Sequence, residues 1–202
     1  MKFDKGLSEL NHEKIIGMIE NIGNISNNII YKNYFSLFEF VKRNINNLDK
    51  INLLGIAHMV YGWMPTMLDN VDETKINDEN KISIIWDNIF SGSLDSNFLY
   101  NIQKITNNSI RGGSKLLHFI NPNKYAIFDS KVYKAITKDN SYNYDYNYSI
   151  KKYKLYMEKL KLLEGDVDNM NKIKNEFHKN NEKDDRITNL RYLELCLYFS
   201  ER

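Results

Sequence analysis

RGGSKLLHFINPNKYAIFDSKVYKAI, residues 111–136 of a 202-residue chain, is the stretch on which the reading turns. Two adjacent glycines stand near its start, and adjacent glycines admit positive φ and close backbone approach. Gly112-Gly113 is therefore expected to form a turn between two helices. Ser114 and Lys115 then open a helix through Leu116–Ile120, and Asn121-Pro122-Asn123 breaks it. Tyr125-Ala126-Ile127-Phe128 is too short and too apolar to be exposed, so it should lie buried. Asp129 is placed to cap a helix over Lys131–Ile136.

Outside this stretch the apolar residues also recur at helical spacing, with no run of period-two strands. Upstream, Ser8 or Asn11 opens a first helix that ends near Gly23, and a second runs from about Asn27 through Ile30, Tyr34, Leu37 and Val41. Asp49 caps a third through Val60, after which Pro65 forces a turn and starts a short helix. The acidic run Asp69–Asn80 reads as a loop. Ile82, Ile85, Trp86 and Ile89 define one face of the next helix, and Phe98, Ile102 and Ile105 one face of a helix over Asp95–Thr106. Downstream, Asp139–Asn147 reads as a loop, Ser149–Leu163 as a long helix ended by Gly165, and Val167–Phe177 as a weaker one. Asn180–Asp185 reads as a loop, and a final helix starts at about Thr188. The fold class is all-α: a compact globule of about ten helices, either undivided or of two lobes around a cleft.

Composition narrows the function classes. The apolar runs stop short of the ~18 residues a membrane span needs, and no apolar segment follows the first charges as in a secretory leader. With one cysteine, Cys196, neither an intrachain disulfide nor a Cys-ligated metal site can form, and His12, His58, His118 and His178 lack ligand spacing. A cytoplasmic protein without metal or other cofactor is expected. Charge is unevenly distributed: residues 1–100 hold 9 basic and 13 acidic residues, a net −4, whereas residues 101–202 hold 19 and 13, a net +6. The basic half contains the 111–136 stretch, an asymmetry that favours a polyanionic partner.

Two ionisable groups in that stretch could carry chemistry. A lysine at a helix start opposes the helix dipole, and with partial burial its ammonium is easier to deprotonate, as a Schiff-base nucleophile requires. Lys115 is the candidate, although a lysine at such a place can equally be a solvated surface residue. A carboxylate held at a helix N-terminus stays ionised and can steady a cationic sugar, which makes Asp129 the second candidate beside its plain capping role. Arg111 and the backbone of the Gly112-Gly113-Ser114 turn suit a phosphate. An ordinary helix–helix connection would look the same.

Gly113-Ser114-Lys115 followed by Ile127-Phe128-Asp129-Ser130-Lys131-Val132 resembles the helix-hairpin-helix DNA glycosylases, most of all their 8-oxoguanine glycosylase-like branch. In that superfamily a hairpin of the form G-V-G-x-K grips the DNA backbone, and the segment after it ends in V-D-x-H/x-V. The resemblance spans the 26 residues 111–136 and departs from the pattern in four places. Arg111 stands where the first hairpin glycine falls, Gly112 replaces the apolar residue, and Lys131 replaces a frequent histidine. The 14-residue spacing from Lys115 to Asp129 is also short. The C-terminal LRYLELCLYF, residues 190–199, is similar to the closing helix of compact members.

The resemblance implies a helix-hairpin-helix-like element and one DNA glycosylase-like domain over residues 1–202. It further implies that a monomer acts on double-stranded DNA with Lys115 as the nucleophile at the sugar C1′ and Asp129 as the supporting carboxylate. AP-lyase activity would follow from the imine. Such enzymes flip the target base into an aromatic pocket, for which Tyr61, Trp63, Trp86, His118 and Phe119 are the candidates. Core packing is the plain alternative for each. Two other functions fit the sequence: a non-catalytic helix-hairpin-helix module that binds nucleic acid, and a helical interaction protein.

Overall fold

The computed structural model describes residues 2–139 and 149–201 and is all-helical, with eleven α-helices and no strand among the described residues. Residues 140–147 of the expected Asp139–Asn147 loop lie outside the described residues. The backbone divides into two units, one formed by residues 29–126 and the other by residues 1–28 with 127–202. The division falls inside the apolar segment Tyr125–Phe128, all four residues of which are buried as expected.

The unit of residues 29–126 holds α3 (Ile29–Asn44), α4 (Lys50–Trp63), α5 (Glu79–Ser91), α6 (Ser96–Lys104) and α7 (Ile110–Ile120). Short polar side chains start these helices by accepting the otherwise unpaired N–H groups of the first turn. Asp49 caps α4, Asp78 caps α5, Asp95 caps α6 and Ser109 caps α7. Gly92 ends α5 in the left-handed conformation, which glycine adopts without steric cost. α7 packs against α3, α4 and α6, so it is the centre of this unit. No helix restarts at Pro65: α4 ends at Trp63 and the chain stays irregular until a single 3₁₀ turn at Glu73–Lys75. That segment is fastened by side-chain and backbone hydrogen bonds to the α6–α7 turn, which compensate for the helix it does not form.

The second unit holds α1 (Lys2–Ser8), α2 (His12–Ile19), α8 (Ser130–Thr137), α9 (Ile150–Glu164), α10 (Val167–Phe177) and α11 (Asn189–Phe199). α1 is unforeseen by the sequence reading, being short and carrying only Phe3 and Leu7 as large buried groups. It packs on α8 through Gly6, where a Cβ would lie 1.9 Å from the Ile136 carbonyl oxygen. Phe3 stacks on Tyr133 at 5.4 Å and meets Phe128 edge-on at 5.9 Å, and Phe128 in turn stacks on Tyr156 at 5.1 Å. α11 packs against α2, α8, α9 and α10. Its buried face includes a charged pair, Arg191 donating to Glu194 one turn on, both almost wholly removed from solvent. An ion pair so placed forfeits much hydration and is tolerated only because each charge has a partner.

Candidate active site

The turn ahead of α7 is not made by glycine. Asn107 and Asn108, with φ of 53° and 50°, carry the chain from α6 into α7, and Ser109 caps the new helix. Asparagine tolerates the left-handed region better than most side chains and pairs with nearby backbone. Asn107 Oδ1 accepts from the N–H groups of Asp69 (3.1 Å) and Asn70 (2.9 Å), while its Nδ2 donates to Met67 O at 2.8 Å. The expected Gly112-Gly113 turn is therefore corrected: both glycines lie inside α7.

Their role is close packing. A Cβ on Gly112 would stand 2.1 Å from the Tyr61 hydroxyl oxygen, and one on Gly113 would stand 2.8 Å from Ile102 Cγ2. Glycine in a helix costs about 0.5–1 kcal/mol relative to alanine. Here that cost lets α4 and α6 approach α7 closely. The N–H of Gly112 donates to Ser109 Oγ (3.3 Å) and that of Gly113 to Ser109 O (2.9 Å), so neither is presented to a phosphate. Ser114 is also buried, and its hydroxyl donates to Arg111 O at 2.9 Å. Of the four residues assigned to DNA contact, Arg111 alone reaches the surface.

Lys115 lies in the second turn of α7 rather than at its start, where the helix dipole weakens. Its surroundings are unusual in another way. Every other residue from Gly112 to Ile120 is buried, and Lys115 is half-buried. Arg111, four residues earlier, is on the same face. α7 is thus a core helix whose solvent-reaching side chains are two cations one turn apart.

Asp129 belongs to the other unit. It caps α8 as expected, with Oδ1 accepting from the N–H groups of Lys131 (3.0 Å) and Val132 (3.2 Å), and the residue is 9% exposed. The segment ahead of it is anchored by the Tyr156 hydroxyl, which donates to Ile127 O at 3.1 Å. Burial, then the Glu194 carboxylate, pushes that phenol well above its ordinary range, so it remains a donor. On α8 the Lys131 ammonium sits 4.7 Å over the Tyr198 ring of α11, the lysine thereby gaining a cation–π contact.

The proposed base-pocket rings fall into three places within the unit of residues 29–126. Trp63, His118 and Phe119 meet: Trp63 contacts Phe119 edge-on at 5.2 Å, and His118 and Phe119 both pack on Tyr34. Tyr34 is a member of this cluster that the sequence reading placed only on a helix face. His118 Nδ1 lies 2.8 Å from Tyr125 O and must donate to it, and Nε2 is hydrogen-bonded to the Tyr34 hydroxyl at 3.0 Å. Both ring nitrogens are used, as a core histidine requires. Tyr61 is buried beside Gly112; its hydroxyl donates to Thr106 O at 2.8 Å and burial, opposed by the Arg111 charge, pushes its pKa up to about 12. Trp86 stacks on Phe90 at 5.9 Å elsewhere in the unit. Tyr61, Trp86, His118 and Phe119 are all buried packing residues, and Trp63 alone is half-buried, donating Nε1–H to Ile30 O at 3.3 Å.

No group of three His, Cys, Asp or Glu side chains that could hold a metal occurs among the described residues, and no helix there is long and apolar enough to cross a membrane. No family model matches the chain, and neither a curated protein nor a solved structure matches it.

Proposed function

We propose that the chain is a DNA glycosylase that removes a damaged or modified base from duplex DNA, with Lys115 as nucleophile and Asp129 as supporting carboxylate. The observation that carries this reading is the surface of α7. A helix buried on nearly every side offers solvent one arginine and one lysine, a turn apart. Arg111 then supplies the phosphate contact, and Lys115 faces the sugar. The reading is further supported by Asp129, whose carboxylate accepts two N–H groups at the N-terminus of α8.

In this mechanism the neutral Lys115 amine forms a bond to C1′ as the glycosidic bond breaks and its electron pair leaves with the base. The Asp129 carboxylate steadies the oxocarbenium charge that develops on the sugar. Ring opening gives an imine, and β-elimination of the 3′ phosphate from that imine nicks the strand. The enzyme acts as a monomer on double-stranded DNA and needs no cofactor.

Borohydride tests the reading. It reduces the imine, so protein mixed with duplex DNA carrying oxidised guanine or an abasic site should become covalently attached, and Lys115→Gln should abolish the adduct. Duplex binding without an adduct on any lesion would replace the enzyme with a nucleic-acid-binding module. Absence of binding at low salt, where phosphate contacts are strongest, would leave a helical interaction protein.

A further inference from the structure

A second feature of the unit of residues 29–126 is independent of the DNA reading. A cavity of about 530 Å³ lies between the start of α4 and the start of α5, within the ~300–1,000 Å³ typical of small-molecule sites. Ile76, Ile82 and Trp86 form its inner wall and are buried. Leu48 and Ile51 line it too, yet are 46% and 80% exposed, so two large aliphatic side chains remain in water beside an apolar wall. The Trp86 indole is fully buried, and its Nε1–H has no acceptor among the described residues.

The charges at this cavity are one-sided. Asp49, Asp78, Glu79 and Asp87 line it against a single cation, Lys50. Lys50 is bound to Glu73 at 2.6 Å, and Lys81 is bound to Asp78 at 3.4 Å. Glu79 and Asp87 make no ion pair among the described residues and are exposed. A nucleic acid would be repelled here. The complementary ligand has an apolar body to cover Leu48 and Ile51 and a positive charge to meet Glu79 and Asp87.

We infer that this cavity is a binding site for a small organic cation with an apolar body, of the arylalkylamine class. Its body would rest on Ile76, Ile82 and the Trp86 wall, and its ammonium would sit at the carboxylate rim.

The chain contains two tryptophans, so the indole N–H resonance of Trp86 can be assigned with a Trp63→Phe variant and followed by NMR. Three probes share one body and differ in charge: phenethylammonium, 2-phenylethanol and phenylacetate. The expected result is a saturable shift of the Trp86 resonance, tightest for the cation and weakest for the anion. In Glu79→Gln/Asp87→Asn, a change confined to exposed side chains, the cation should weaken by up to about fivefold while the alcohol is unaffected. A Trp86 resonance unmoved by all three probes, or an affinity order indifferent to charge, would overturn the inference.

Discussion

Arg111 and Lys115 lie one turn apart on α7, and the residues between and after them, as far as Ile120, are buried. Two like charges at this spacing repel each other slightly, and an anion lying across both would relieve that repulsion. On the DNA reading that anion is a backbone phosphate. Arg111→Gln should weaken duplex binding about equally for every sequence and lower the slope of log K against log salt by about one. The fold should change by less than about 0.5 kcal/mol, as for other partly exposed substitutions. Binding isotherms at several salt concentrations, with a thermal melt of the free protein, check both halves. An unchanged salt slope would remove Arg111 from the interface.

Gly112 is fixed by Tyr61. An alanine methyl would overlap the phenol at both its oxygen (2.1 Å) and its Cζ (2.8 Å), so the ring must move. Moving it breaks the hydrogen bond to Thr106 O. Gly112→Ala is therefore expected to destabilise by about 1–3 kcal/mol, because overpacking outweighs the gain in helix propensity. Tyr61→Phe removes only the nearer contact, so the double variant should recover part of the loss. A double-mutant cycle from denaturant melts measures the coupling, and additive effects would mean that the two residues do not touch.

These same glycines show where the sequence is legible and where it is not. Helical periodicity and the caps Asp49, Asp95, Asp129 and Ser149 locate their helices to within a few residues, because capping is local chemistry. Two adjacent glycines are ambiguous by the same local logic: they suit a turn, and they also suit a helix that another helix approaches closely. The close approach comes from Tyr61 and Ile102, which are remote in sequence, so the local signal points to the wrong place. The real turn carries a weaker sign, Asn107-Asn108 ahead of the capping Ser109. The aromatic residues fail for a related reason. Tyr61, Trp86, His118 and Phe119 have the composition of a pocket and the burial of a core, and composition does not distinguish the two. The buried pair Arg191 and Glu194 carries no local signal, because charged residues at i and i+3 ordinarily face water, whereas α11 packs against four other helices.

Glu201 gives the unit of residues 1–28 and 127–202 a pH-sensitive tie. Burial alone would raise its pKa, but hydrogen bonds and charges from Lys138 and Lys134 outweigh burial and hold the carboxyl below its usual value. A carboxylate whose folded pKa lies below the unfolded one stabilises fully above the unfolded value, and that stabilisation disappears as pH falls through the folded value. Glu201→Gln should thus cost on the order of 0.5–1 kcal/mol at neutral pH and progressively less as the pH falls into the acid range and the carboxyl becomes protonated in the folded protein as well. Denaturant melts across that range should show the two proteins converging. A constant difference at all pH values would mean that the side chain acts through packing instead.

On the glycosylase proposal, Asp129 combines two roles that its substitutions can separate. As the cap of α8 it needs an oxygen that accepts the N–H groups of Lys131 and Val132, and asparagine supplies one nearly as well. As the carboxylate opposite a developing oxocarbenium ion it needs a negative charge, which asparagine lacks. Asp129→Asn should therefore stay within a few tenths of a kcal/mol of the parent, whereas Asp129→Ala should lose about 1 kcal/mol. Base release from duplex DNA should fall in both variants alike, by on the order of 10²-fold or more if the charge contributes as other preorganised electrostatic groups do. Binding of an abasic-site duplex, which no longer carries the scissile bond, should change little. Activity that instead followed stability, preserved in the asparagine variant and reduced in the alanine one, would return Asp129 to a purely structural cap.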